Sequence, residues 1–217
     1  TGTKHCITVA SGTEALLIAL MALGVRPGDE VITTPFTFVA TAEMIVLLGA
    51  VPVFVDIDPE TCNIDASKIE AAITPKTKAI IGNNCNGHPA AWKALRQLAE
   101  SRGVALLEDS TEAIGSRYLG KPVGSFGDLS VFDFSQPGAL CCGEGGMVLT
   151  DDPQLATELR ERRAAGGDLH FYDAVIKLPG FTVSTDACHI QNGKLHLSPI
   201  RLTDKEGHPL YTYTPEQ

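Results

Sequence analysis

The chain has 217 residues, 44% hydrophobic and 20% charged, enough for one sizeable globular domain or one domain with an added piece. Its net charge of −9 and pI near 5.1 argue against a nucleic-acid partner, because phosphate backbones are met by basic faces. The longest apolar stretch, Ala15 to Leu23, is too short to span a bilayer, and Thr1-Gly2-Thr3-Lys4-His5-Cys6 lacks a charged-then-apolar leader pattern, so a cytoplasmic protein without membrane partners is expected.

In chain order, Ser11-Gly12-Thr13-Glu14 reads as a capping box, in which Ser11 accepts from the backbone of Glu14 and Glu14 reaches back. It opens a helix from Thr13 to Leu23 that is apolar nearly all round and so expected to be buried, with Gly24 placed to end it. Glu30 to Thr33 reads as a strand, Thr41 to Leu48 as a helix, and Val51 to Ile57 as a strand. Asp65 is a cap for a helix running through Ile73. Lys78 to Ile81 is a strand, and Pro89 to Arg102 a helix with proline at its start. Val104 to Asp109 is an apolar run of the kind found in buried parallel strands. Leu129 to Phe134 and Met147 to Thr150 are two more strands, and Asp151 or Asp152 opens a charged helix to Ala165.

Strands alternating with helices predict an α/β fold: a three-layer arrangement with a mostly parallel sheet and helices on both faces. Ligands in such folds bind beyond the carboxyl ends of the strands, so the loops after Thr33, Ile81, Asp109 and Phe134 are the places for chemistry. After about Gly167 the pattern changes to short alternating stretches. His196 to Leu202 and Leu210 to Tyr213, with the turn residues Asp204-Lys205-Glu206-Gly207 between them, predict a small β-hairpin. The expected division is residues 1–166 as one domain and 167–217 as a divergent, β-rich extension. The six cysteines, at 6, 62, 85, 141, 142 and 188, include no Cys-x-x-Cys pair and read as reduced thiols.

Several motifs fall in an order that resembles one family. They are Ser11-Gly12-Thr13-Glu14-Ala15-Leu16, Gly28-Asp29-Glu30-Val31-Ile32, Thr37-Phe38-Val39-Ala40-Thr41, Gly49-Ala50-Val51-Pro52-Val53, Glu108-Asp109, Val123-Gly124-Ser125-Phe126-Gly127-Asp128 and Gly143-Glu144-Gly145-Gly146. Over roughly three quarters of its length the chain resembles the large domain of DegT/StrS-type sugar aminotransferases, which depend on pyridoxal phosphate (PLP). The resemblance implies transamination of nucleotide-linked keto-sugars, with glutamate as the amino donor. It also implies a nucleotide-sugar ligand and a dimer, either of two copies or with a paralogue.

The resemblance further implies site residues. Gly12 and Thr13 would meet the cofactor phosphate at a helix start, where free N–H groups and the helix dipole favour an anion. Phe38 would stack on the ring, Asp109 would pair with the pyridinium nitrogen, and Glu112 would lie near the ring hydroxyl.

Three departures accompany these matches. Counting back from Glu144, Gly138 stands at the position of the lysine that bonds the cofactor, and Asp133 at that of a phosphate-binding serine. No lysine lies between Lys121 and Lys177, so no shift of register supplies one. Asn84 stands where the family has histidine, with His88 close by but off register. The family's small domain is represented only by Leu178-Pro179-Gly180-Phe181 and Ser184-Thr185-Asp186-Ala187, so the chain is expected to be a fragment, a truncated paralogue or one piece of a split protein.

Three readings stay open. One is a protein that binds PLP or pyridoxamine phosphate (PMP) without a covalent bond, another a non-catalytic subunit. The third is a new activity using Asp133, Cys141, Cys142, Cys85 and Asn84.

Overall fold

The computed structural model describes residues 1–135, 140–165, 181–185, 189–191, 194–196, 200–204 and 209–213. The chain divides into two compact units, Thr1–Arg160 and Glu161–Gln217.

The first unit is built on a seven-stranded sheet with the order β1-β9-β8-β5-β4-β2-β3. Its strands are β1 (His5–Val9), β2 (Glu30–Thr33), β3 (Val51–Phe54), β4 (Thr77–Asn83), β5 (Ala105–Asp109), β8 (Leu129–Asp133) and β9 (Gly146–Thr150). A separate two-residue ladder pairs β6 (Arg117–Tyr118) with β7 (Lys121–Pro122). From β8 through β5, β4 and β2 to β3 every pairing is parallel, while β9 runs antiparallel to both β8 and β1. The sheet is therefore mostly parallel, as the alternation of elements predicts.

Helices cover both faces, and the strand residues alternate between two cores. Val31, Ala79, Ile81, Leu107, Val131 and Val148 pack with α1 (Gly12–Ala22), α2 (Val39–Leu47) and the first turns of α5 (Pro153–Ala165). Ile32, Ile80 and Leu106 point the other way, onto α3 (Ala66–Ile69) and α4 (Trp92–Arg102). Trp92, Leu95, Leu106 and Leu107 are at most 1% exposed. Each such side chain stabilises the fold by about 1.5–3 kcal/mol through burial.

Local sequence sets the helix ends. Ser11 Oγ accepts from Glu14 N at 3.1 Å, and Glu14 Oε2 accepts from Ala10 N at 2.7 Å, so the acidic residue reaches one residue further back than a strict capping box. α1 ends in a Schellman arrangement: Val25 N donates to Leu20 O and Gly24 N to Met21 O, with Gly24 at φ +74°. Asp152 Oδ1 accepts from Gln154 N and Leu155 N, which makes Asp152 the opening residue of α5. The helix expected from Asp65 to Ile73 is shorter, one α-helical turn followed by a 3₁₀ turn over Glu70–Ala72. The helix expected from Pro89 begins at Trp92.

In the second unit, β10 (Phe181–Thr185), β13 (Ile200–Asp204) and β14 (Pro209–Tyr213) form an antiparallel sheet in the order β10-β13-β14. β11 (His189–Gln191) and β12 (Lys194–His196) form a separate antiparallel pair. The hairpin expected near residues 196–213 is present as β13 and β14; its turn residues 205–207 lie outside the described residues.

Candidate functional site

Parallel pairing brings Thr33, Asn83, Asp109 and Asp133 to one edge of the sheet, at the carboxyl ends of β2, β4, β5 and β8. Two adjoining cavities of about 320 and 330 Å³ open there. They share Phe38, Asp109, Thr111 and Glu112 as wall residues.

All five residues expected to hold a cofactor line the first of these cavities: Gly12, Thr13, Phe38, Asp109 and Glu112. Asp109 is 4% exposed. Its Oδ1 accepts from Thr111 N at 3.1 Å and Thr111 Oγ1 at 2.7 Å, and its Oδ2 accepts from Thr41 Oγ1 at 3.3 Å. Burial pushes its carboxyl above the ordinary range; the hydrogen bonds from Thr111 and Thr41 oppose that rise, and the nearby Glu112 charge adds to it. A cation delivered to this carboxylate would offset the cost of holding it ionised.

Phe38 is 62% exposed and caps the start of α2, at the mouth of both cavities. Glu112 is exposed, and its Oε2 accepts from Asn86 N at 2.9 Å. Gly138 lies outside the described residues.

Asp133 lines the same cavity from the neighbouring strand β8. Its Oδ2 accepts from Gly12 N at 2.8 Å, the backbone donor at the start of α1. Its Oδ1 accepts from Ser135 N at 2.6 Å and Ser135 Oγ at 2.5 Å. The approach is close enough to require glycine: a Cβ on Gly12 would lie 2.5 Å from Asp133 Oδ2 and 2.7 Å from Asp133 Cβ. The chain's own carboxylate thus sits where the helix start would otherwise offer its N–H to a bound anion.

Asn84, read from the resemblance as standing at a histidine position, has a structural assignment. Its Nδ2 donates to Glu108 Oε1 at 3.1 Å and Ser110 Oγ at 2.8 Å, and its Oδ1 accepts from Ala90 N and Trp92 Nε1, both at 2.9 Å. Glu108 is fully buried and accepts as well from Ser110 Oγ, Gly124 N, Phe126 N and Ser130 Oγ. This network ties the turn at Gly124–Phe126 to β5 and to the start of α4, and it leaves Asn84 no free amide valence for catalysis. Cys85 is buried, and burial above all raises its thiol pKa, with Glu112 and Cys62 adding to the rise; a raised pKa disfavours the reactive thiolate.

Sequence reasoning missed Thr41 and Thr111 as the partners of Asp109. Thr111 had a local signal, since a hydroxyl two residues after an aspartate closes an Asx-type turn. Thr41 lies 68 residues from Asp109 and had none.

Residues 1–197 match the family model described as the DegT/DnrJ/EryC1/StrS aminotransferase family. The chain is 46% identical over 172 residues to UDP-2-acetamido-2-deoxy-3-oxo-D-glucuronate aminotransferase of Pseudomonas aeruginosa, covering 79% of this chain and 48% of that protein. Among solved structures it is similar to NtdA from Bacillus subtilis with bound cofactor PMP, at 36% identity and a TM-score of 0.70, covering 75% of this chain and 37% of that one. It is also similar to the aminotransferase from Psychrobacter cryohalolentis, at 36% identity and a TM-score of 0.74, covering 90% and 47%. The chain spans about half the length, or somewhat less, of the curated relatives it matches. The motifs, the sheet order and these matches agree, and the chain belongs to the DegT/DnrJ/EryC1/StrS aminotransferase family.

Proposed function

We propose that this chain is a relative of the PLP-dependent transaminases of nucleotide-linked keto-sugars whose own amino transfer is weak or absent. In this reading it keeps a non-covalent affinity for the ring of PLP or PMP. The observation that carries it is the Asp133 carboxylate on Gly12 N at 2.8 Å.

The residues present fit the group's ring and do not fit its phosphate. At the ring end, buried Asp109 offers a carboxylate to a pyridinium nitrogen, and Phe38 offers an aromatic face at the cavity mouth. At the phosphate end, the anion position is taken by Asp133, and no lysine, arginine or histidine lines either cavity among the described residues. Two like charges in a partly buried site repel by on the order of a few kcal/mol. Gly138, read at the lysine position, offers no amine for a covalent bond.

A second reading, a non-catalytic subunit pairing with itself or with an active paralogue, is favoured by a separate observation. Phe36, Val39, Val46, Leu47, Val51 and Phe54 are each about half exposed or more, all within the β2–α2–β3 segment. In either reading residues 167–217 form a separate extension, of which residues 198–217 lie beyond the family match.

The test is amino transfer from glutamate to a nucleotide-linked keto-sugar with added PLP. The chain is expected to stay at the no-enzyme baseline. Turnover on the order of 1 s⁻¹ or faster, ordinary for an enzyme, would refute the proposal.

A further inference from the structure

The walls of the two cavities carry four carboxyl groups, Asp109, Glu112, Asp133 and Glu144, and no cationic side chain among the described residues. Residues 136–139, which follow Ser135 in the chain, are Gln, Pro, Gly and Ala, so they add no positive charge. Asn83, in the wall of the second cavity, is 7% exposed, and its Oδ1 has no hydrogen-bond partner. Its Nδ2 donates to Phe36 O at 3.4 Å, which orients the amide. The charged groups of the described walls are thus all acidic, and Asn83 Oδ1 adds an unused acceptor. Gly12 N, the first backbone donor at the start of α1 that a ligand phosphate would meet, is held by Asp133.

Given the ring-binding reading above, on which this inference rests, we propose that Asp133 is a built-in substitute for the ligand's phosphate. The cavity selects an unphosphorylated, amine-bearing pyridine ring over its phosphate ester. The selection has two parts. A phosphate ester must displace the Asp133 carboxylate from Gly12 N, and it must enter a field set by four acidic groups with no compensating cation among the described residues. An unphosphorylated ring leaves the Asp133 contacts intact, its pyridinium nitrogen meets Asp109 with a complementary charge, and its ammonium group enters the acidic field. Asp133 also holds Ser135 through its other oxygen. The hydrogen bonds from Gly12 and Ser135 keep the carboxylate seated without a ligand, so the discrimination is present before binding.

Calorimetric titration with pyridoxamine and with PMP tests this. Both are amines, so neither forms aldimines with surface lysines. For the unmodified chain, pyridoxamine is expected to bind at least as tightly as PMP. Asp133→Ser, which removes the charge and leaves a hydroxyl, is expected to tighten PMP by about tenfold or more while pyridoxamine changes by less than about threefold. Asp133→Asn keeps an acceptor for Gly12 N without the charge and is expected to fall between the two. Thermal unfolding of both variants shows that each is folded.

PMP binding about tenfold or more tighter than pyridoxamine in the unmodified chain overturns the inference and leaves the ring-binding reading standing. PMP affinity unmoved by Asp133→Ser also overturns it. Absence of binding by either compound, in the unmodified chain and in folded Asp133→Ser alike, overturns the ring-binding reading itself.

Discussion

Asp133 Oδ2 lies 2.8 Å from Gly12 N, so the end of β8 is joined to the start of α1 through a carboxylate. The contact does two things. It satisfies a helix-terminal donor that would otherwise need an outside partner, and it puts a negative charge where the family resemblance expects a phosphate. In the proposed reading, the departures at Asp133 and Gly138 act at the two points where the cofactor would be anchored.

Restoring both anchors is expected to restore the chemistry of attachment. Asp133→Ser with Gly138→Lys, incubated with PLP, should give an absorbance band near that of an internal aldimine and a borohydride-stable adduct mapped to residue 138. If the folded double variant stays colourless with PLP, the register that places Gly138 at the lysine position is wrong.

Asp109 makes stability depend on pH. Burial raises its carboxyl pKa in the folded chain above the ordinary 3.8. The folded state then binds more protons than the unfolded state between those two values, so the contribution of Asp109 to stability falls as pH rises from 3.8 to the folded pKa and stays reduced above it. Asp109→Asn removes that loss. The melting temperature of Asp109→Asn relative to the unmodified chain should rise across this window, and pyridoxamine binding should weaken by about tenfold or more as the ring loses its counter-charge. An unchanged difference in melting temperature across the window would contradict the direction given for Asp109.

The Glu108 network is expected to be structural. Glu108→Ala leaves the buried amides of Gly124 and Phe126 and the side chains of Asn84, Ser110 and Ser130 without their acceptor. A loss of about 3–5 kcal/mol is expected on denaturant unfolding. A loss below about 1 kcal/mol would show that water or a side-chain shift replaces the carboxyl.

The exposed apolar residues of the β2–α2–β3 segment predict association. Val46 and Leu47, 59% and 65% exposed at the end of α2, are the substitutions to make. Val46→Glu with Leu47→Lys should lower the mass seen by sedimentation, or abolish binding to a paralogue, without lowering the melting temperature by more than a few degrees. A monomeric unmodified chain that captures no family member would contradict the subunit reading.

Much of the fold was legible because its signals are local. The apolar runs at Val31-Ile32, Ala79-Ile80-Ile81 and Leu106-Leu107 fit strands buried on both faces, and the observed split of these residues between two cores is the reason they are apolar at every position. β1 was missed because only Ile7 of His5–Val9 is fully buried, so alternation hardly registers there; its place is fixed by antiparallel pairing with β9, far away in sequence. α3 stopped early because tertiary packing, centred on Ile69, needs only one turn. At the candidate site, residue types flagged the carboxylates, but geometry assigned their work. Asp133 was legible as a charge in the wrong place, whereas its bond to Gly12, 121 residues away, was not. Asn84 had the look of a catalytic substitution, and only its four partners show it to be a clamp.

The absence of a covalent tether is tested most directly by PLP titration of the purified chain, followed by absorbance, borohydride reduction, intact mass and peptide mapping. The expected result is no site-specific adduct: any bound chromophore lacks the internal aldimine band, and the mass after reduction is unchanged at stoichiometric PLP. A single reducible adduct at one lysine, formed at stoichiometric PLP and lost in Asp109→Asn, would contradict it, because the chain would then supply the amine from a position other than 138.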